Sequence, residues 1–127
     1  MLAAFALGHA ANPVPPPPTP GPWRQLGPAV TSRRGKQVHF FRTAANDPQA
    51  LAVVITSSSA QTIRLSWWNY CEFQSDDAQF EEHQGTVTGL HSLIAYPPVF
   101  SGATLCYVSV NAGTSHGAAV RAAVFTY

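Results

Sequence analysis

Charged residues are scarce in this sequence, and their signs nearly cancel. Seven lysines and arginines face six aspartates and glutamates, which leaves a formal net charge of +1 at pH 7. A general nucleic-acid-binding protein is excluded, because a protein needs about one cation for each phosphate that it neutralises. No apolar run approaches the roughly 20 residues that cross a bilayer, so we predict no transmembrane segment. A disordered chain is also excluded, since 46% of the residues are hydrophobic.

The composition divides the chain into three parts. Residues 1–11 are almost wholly apolar and contain no lysine or arginine. We interpret them either as the end of a truncated secretory signal peptide or as an apolar arm that docks on a neighbour. Residues 12–22 hold seven of the eleven prolines, which favours an extended polyproline spacer. Residues 23–127 remain as a single folded domain.

Apolar and polar residues alternate with a period of two through most of this domain. Ile63, Leu65 and Trp67 form one side of such a pattern. Candidate strands are residues 38–43, 51–56, 63–71, 84–90, 92–96, 104–112 and 118–127. Seven or eight short strands without a convincing helix predict an all-β fold, an antiparallel β-sandwich. We interpret the acid-rich stretch 76–83 as a long polar loop.

The sequence contains two cysteines, Cys71 and Cys106. Each lies on the apolar side of its own alternation, so both thiols are expected to face the core. In an exported domain such a pair predicts a disulfide, whereas two buried free thiols would be expected in a cytosolic protein. A bridge between core strands is also a feature of immunoglobulin-like domains. There the core tryptophan follows the first cysteine, whereas Trp67 and Trp68 precede Cys71, so we predict the sandwich architecture without its topology.

Residues 113–117 read Gly-Thr-Ser-His-Gly and match the nucleophile elbow of serine hydrolases. An elbow leads into a helix and is followed in the chain by an acid and a histidine. The residues after Gly117 read as a strand and contain neither. We therefore interpret this segment as a hairpin turn and predict no catalytic residues.

The histidines and acids do not form a recognisable metal motif. None of the five histidines is spaced as H-x-H, which would place two ligands on one side of a strand. The stretch 72–82 holds five of the six acids but lacks the calcium-loop pattern. We predict no metal and no cofactor. By contrast, five of the seven basic residues lie in residues 23–43, so oppositely charged ends are a candidate for head-to-tail contact between copies.

The same alternation that turns Trp67 and Cys71 inward turns their neighbours outward. Trp68 and Tyr70 then share the outer face of one strand, and Tyr107 lies on the outer face of another. If these strands are adjacent, the three rings together with Arg64 form an aromatic platform. Such a platform binds a protein or a glycan partner, or is covered by another part of the molecule.

Two functions fit these features. The first is a non-enzymatic, secreted or cell-surface interaction module that binds a protein or glycan through the aromatic platform. The second is a structural subunit of a homo-oligomeric assembly, such as a surface filament or a virion shell, that uses the N-terminal arm and the charged ends. A hydrolase is disfavoured because no nucleophile, base and orienting group form one set.

Overall fold

The computed structural model describes residues 14–43, 50–57, 61–71, 78–87, 92–97 and 105–127. These ranges contain nine strands and no helix, which confirms the all-β prediction. The strands are β1 (Arg24–Gln25), β2 (Val30–Ser32), β3 (Val38–Thr43), β4 (Leu51–Thr56), β5 (Gln61–Cys71), β6 (Ala78–Val87), β7 (Ser92–Ala95), β8 (Leu105–Thr114) and β9 (Val120–Thr126). Residues 1–13 lie outside the described ranges, so the interpretation of residues 1–11 stays a prediction.

The strands form two antiparallel sheets. The order in the five-stranded sheet is β1–β9–β4–β7, and β2 also pairs with β9. The order in the four-stranded sheet is β3–β8–β5–β6. Because β1 and β2 lie end to end along the same edge of β9, the nine described strands occupy eight strand positions. The β-sandwich prediction is therefore confirmed.

Strand pairing follows the order of the chain in a nested way. The first strands, β1 and β2, pair with the last strand, β9. Moving inward from both ends, β3 pairs with β8, β4 with β7 and β5 with β6. This is a long antiparallel hairpin rolled up so that its two layers pack face to face, which is the jelly-roll topology. It differs from the immunoglobulin arrangement, which the sequence resembled only in architecture.

The core lies between the two sheets and follows the predicted alternation. In β5, Ile63, Leu65 and Trp67 are buried against the opposite sheet, while the residues between them are half-buried on the outer face. The main core cluster consists of Phe40, Leu51, Val53, Ile55, Ile63, Leu65, Trp67, Leu93, Ala95, Val108, Val110, Ala112, Val120, Ala122 and Val124. Period-two burial across both layers therefore produces one continuous core.

Strand β4 departs from this pattern because all six of its residues are buried. Its outer side chains, Ala52 and Val54, pack in a second cluster that includes Val14, whose exposed fraction is 3%. Trp23 also packs there, and its indole N–H donates a hydrogen bond to the Thr19 carbonyl at 2.7 Å. The described part of the proline-rich segment thus lies on the outer face of the five-stranded sheet and shields it from solvent.

The predicted disulfide is present between Cys71 and Cys106. The two cysteines are paired residues on the neighbouring strands β5 and β8, so the bridge lies within the four-stranded sheet. Both side chains are buried, as the alternation predicts. The bridge fixes the register of β5 on β8, and that register places the outward-facing side chains.

The expectation of a polar loop at residues 76–83 is wrong for most of its length. Residues 78–87 form β6, which pairs with β5 from Asn69 back to Gln61. Acidic and amide side chains have low strand propensity, but pairing with a long neighbouring strand overrides that preference. Residues 72–77, which hold three of the five acids between residues 72 and 82, lie outside the described ranges.

The segment between β2 and β3 crosses the end of β8 and holds the two sheets together there. The Ser32 hydroxyl donates a hydrogen bond to the Ala112 carbonyl at 2.8 Å. The Gly35 amide donates to Asn111 Oδ1 at 3.0 Å. Between these contacts the chain passes directly over Gly113, where a Cβ atom would lie 2.5 Å from the Arg34 backbone nitrogen. Gly113 is therefore required by close backbone approach. A turn follows it, but the strands on either side, β8 and β9, lie in different sheets, so the turn connects the two layers and the prediction of a hairpin turn is wrong.

We expect Gly113→Ala to lower the free energy of unfolding by about 1 to 3 kcal/mol, because the added methyl group displaces backbone in a packed region. Ser115→Ala in the exposed turn between β8 and β9 is the matched control and should change stability by less than about 0.5 kcal/mol. Urea unfolding followed by circular dichroism measures both. Equal stabilities for the two variants would show that the β2–β3 segment does not press on Gly113.

Candidate functional site

The outer face of the four-stranded sheet carries the aromatic residues that the sequence predicts to be exposed. Strand β8 lies between β3 and β5, so its outward side chains have neighbours on both sides. One row across the sheet is Phe41, Tyr107 and Tyr70, and the next is His39, Ser109 and Trp68. The strands that bear Trp68, Tyr70 and Tyr107 are therefore neighbours, which is the condition under which the sequence predicts one platform.

Four rings on this face form what we call the aromatic cluster: His39, Phe41, Tyr70 and Tyr107. Tyr107 is at its centre and contacts the other three. The His39 ring stacks on it with a centroid separation of 4.5 Å and an interplanar angle of 10°. The Tyr70 and Phe41 centroids lie 5.1 Å and 5.6 Å from that of Tyr107. Phe41 is 54% exposed, so this apolar surface is open to solvent.

A groove of about 360 Å³ opens beside the aromatic cluster. It lies over β8, because small polar residues there leave a depression between larger rings on either side. Residues that line the groove are Gln37, His39, Ser66, Trp67, Trp68, Tyr107, Ser109 and Asn111. Its volume is within the range of small-molecule sites. Of the predicted binding residues, Trp68 and Tyr107 line this groove, and Tyr70 lies in the adjoining aromatic cluster.

Ser109 forms the floor of the groove, in the row between His39 and Trp68. Its exposed fraction is 4%, and its hydroxyl oxygen has no hydrogen-bond partner among the residues that the structure describes. A buried hydroxyl without a partner costs about 1 to 3 kcal/mol, so such a group needs an explanation. Asn111 differs, because its Oδ1 already accepts the hydrogen bond from the Gly35 amide. The groove thus has aromatic sides and, among the residues that line it, a serine whose buried hydroxyl has no partner among the described residues.

Arg64 lies on the outer face of the same strand as Trp68 but does not line the groove. It pairs in register with Gly113, four residues along β5 from Trp68, a separation of about 13 Å in an extended strand. The structure therefore separates Arg64 from the three aromatic residues with which the sequence analysis grouped it.

His39, Phe41 and Ser109 are the members of this surface that sequence reasoning missed. The signal for Phe41 was present, because Phe40 faces the core and its neighbour must then face outward. Ser109 carries no signal of its own, since only the register of β3, β8 and β5 places it between His39 and Trp68.

Within the described ranges, no group of three or more His, Cys, Asp or Glu residues is positioned to hold a metal ion. In the same ranges, no helix is long and apolar enough to cross a membrane. The candidate calcium stretch, residues 72–82, lies partly outside the described ranges, and nothing is assigned to it.

No family model, curated protein or solved structure matches this chain. The topology and the outer face of the four-stranded sheet are therefore the features that bear on its function.

Proposed function

We propose that this chain is a structural subunit of a virion shell. The observation that carries the proposal is the nested strand pairing, from the outermost pair of β9 with β1 and β2 to the innermost pair of β5 with β6. This jelly-roll topology is common in viral capsid domains and also occurs in lectin domains and cupins. A fold alone does not define a function, so the choice among these uses depends on further features of the chain.

The N-terminal segment supports a role in assembly. It packs along the outer face of the five-stranded sheet from Val14 onward, and residues 1–13 precede that contact. Thirteen extended residues reach at most about 45 Å, whereas a domain of this length has a radius of gyration of about 14 Å. The apolar residues 1–11 are therefore long enough to bind a neighbouring subunit.

The disulfide fits this role and also supports an extracellular location. Disulfides persist in secreted proteins and at virion and cell surfaces, and they are rare in the reducing cytosol. The bridge between Cys71 and Cys106 is consistent with a shell that is stable outside the cell. Neither the shell role nor the binding role considered below requires catalysis, and both are non-enzymatic.

We expect the full chain to form closed particles, which light scattering and negative-stain electron microscopy would detect. Deletion of residues 1–11 should abolish assembly but leave a folded, disulfide-bonded monomer by circular dichroism and intact mass. His116→Ala, an exposed substitution in the β8–β9 turn, is the control and should assemble normally. A full chain that remains monomeric at every protein concentration and ionic strength would overturn the proposal. If residues 1–11 are cleaved from the chain before it assembles, they cannot make the contact between subunits, and that part of the proposal would be wrong.

A second candidate is a monomeric, exported recognition module that binds a protein or glycan partner. The exposed aromatic cluster and the groove beside it favour this function. The particle experiment distinguishes the candidates, because a recognition module remains monomeric under the conditions in which a shell subunit assembles.

A further inference from the structure

The row His39, Ser109 and Trp68 has the shape of a slot. The side residues belong to β3 and β5, which flank β8 on opposite sides. Since neighbouring strands are about 4.8 Å apart, the two flanking backbones are about 10 Å apart. The small Ser109 side chain leaves the space between them open as part of the groove. The width suits one ring-shaped ligand inserted between the side residues.

The orientation of one side of the slot is set before any ligand arrives. His39 stacks on Tyr107, and Phe41 contacts both rings, with centroids 5.9 Å from His39 and 5.6 Å from Tyr107. Packing therefore holds the imidazole in place. A preorganised side wall lowers the conformational entropy that a ligand would otherwise have to remove on binding.

From this geometry we infer that the groove between His39 and Trp68 binds a ring of a neutral carbohydrate, with Ser109 as a hydrogen-bonding group at its floor. A sugar ring presents C–H surfaces to aromatic side chains and hydroxyl groups at its edge. Those hydroxyls both donate and accept, and they match the hydroxyl and amide groups of Ser109, Ser66 and Gln37. The Ser109 oxygen would gain from the ligand the partner that it lacks among the described residues.

The described side chains of the groove also argue against a strongly charged ligand. Those that line it include no lysine, arginine, aspartate or glutamate. A phosphate or carboxylate ligand would be expected to meet an arginine or lysine. Arg64 lies on the same face but not in the groove. A neutral ring is therefore the ligand class that these side chains favour.

This inference goes beyond the shell proposal and does not depend on it. A monomer would bind the sugar through one groove, whereas a particle would present many copies and gain apparent affinity by multivalency. Assembly is measured without sugar, and sugar binding is measured on assembled and unassembled protein, so either proposal can fail alone.

The test uses the full chain and a panel of neutral oligosaccharides of glucose, galactose and N-acetylglucosamine. Binding is screened on a glycan array and then titrated in solution by NMR and tryptophan fluorescence. We expect at least one neutral sugar to bind. Trp68→Ala should weaken it about tenfold or more, because an aromatic anchor is lost. Ser109→Ala should weaken it roughly three- to tenfold, the effect of one hydrogen bond.

Two further variants guard against a general loss of structure. Ser109→Val fills the floor of the slot and should abolish binding while the protein remains folded by circular dichroism. Ser115→Ala, in the exposed β8–β9 turn, should bind as the unsubstituted protein does. Absence of binding across the panel would overturn the inference, as would unchanged binding by Ser109→Val. Nucleosides and aromatic peptides are titrated in parallel, and their binding in this groove without sugar binding would also overturn it.

Discussion

Trp67→Ala is expected to lower the free energy of unfolding by about 3 to 5 kcal/mol, whereas Trp68→Ala should lower it by no more than about 1 kcal/mol. The two tryptophans are adjacent in β5 and face opposite sides of the sheet. Trp67 is 5% exposed and packs in the main core cluster. Trp68 is half-buried on the outer face beside the groove. Urea unfolding followed by far-ultraviolet circular dichroism measures the difference without relying on the indole that has been removed.

The conservative variants Trp67→Phe and Trp68→Phe keep the comparison informative if Trp67→Ala does not fold. Trp67→Phe should still be the less stable of the two, because a smaller ring leaves a cavity in a closely packed core. If Trp68→Phe were instead the less stable variant, Trp68 would face the core and Trp67 would face outward. Since a slip of one residue moves every side chain of a strand to the other face, that result would also remove the aromatic cluster and the groove.

Alternation within a strand was the most informative property of the sequence. It predicts correctly that Trp67 and Cys71 face inward. Side chains along a half-buried strand alternate between the core and the outer face, whichever strands lie beside it. Alternation predicts only residues 84–87 of β6, within the candidate strand 84–90, because low intrinsic propensity concealed the first part of a strand that is held by pairing with β5. Nor does alternation predict the short strands β1 and β2. Each has only a few residues, and both depend on β9, which lies at the far end of the chain.

The jelly-roll topology could not be predicted, because strand order depends on contacts between residues far apart in the chain. Cys71 and Cys106 provided one long-range constraint, and the structure confirms it. That single pairing brings β5 beside β8 and places Tyr70 next to Tyr107. No comparable signal links β3 to β8. The contribution of His39 to the groove, and the position of Ser109 at its floor, therefore emerged only from the structure.

Loss of the disulfide is the second large effect that we expect. Replacing both cysteines, as Cys71→Ala with Cys106→Ala, should lower the free energy of unfolding by about 4 kcal/mol, because the bridge closes a 35-residue separation in the unfolded chain. For a domain of this size the melting temperature would fall by roughly 10 to 20 °C. The expected loss of about 4 kcal/mol is a large part of the roughly 5 to 15 kcal/mol by which most domains are stable. Differential scanning calorimetry and urea unfolding measure the two quantities.

Reduction of the unsubstituted protein should reproduce the loss, provided that it is carried out in the unfolded state. Both cysteines are buried, so a reductant reaches the bridge in the folded protein only when the structure opens. The double alanine variant is the control, and its stability should not respond to reductant. Equal stability of the oxidised and reduced proteins would remove the physical reason for an oxidising location. A large difference would mean that the protein keeps its full stability only where the bridge persists, as it does in oxidising surroundings.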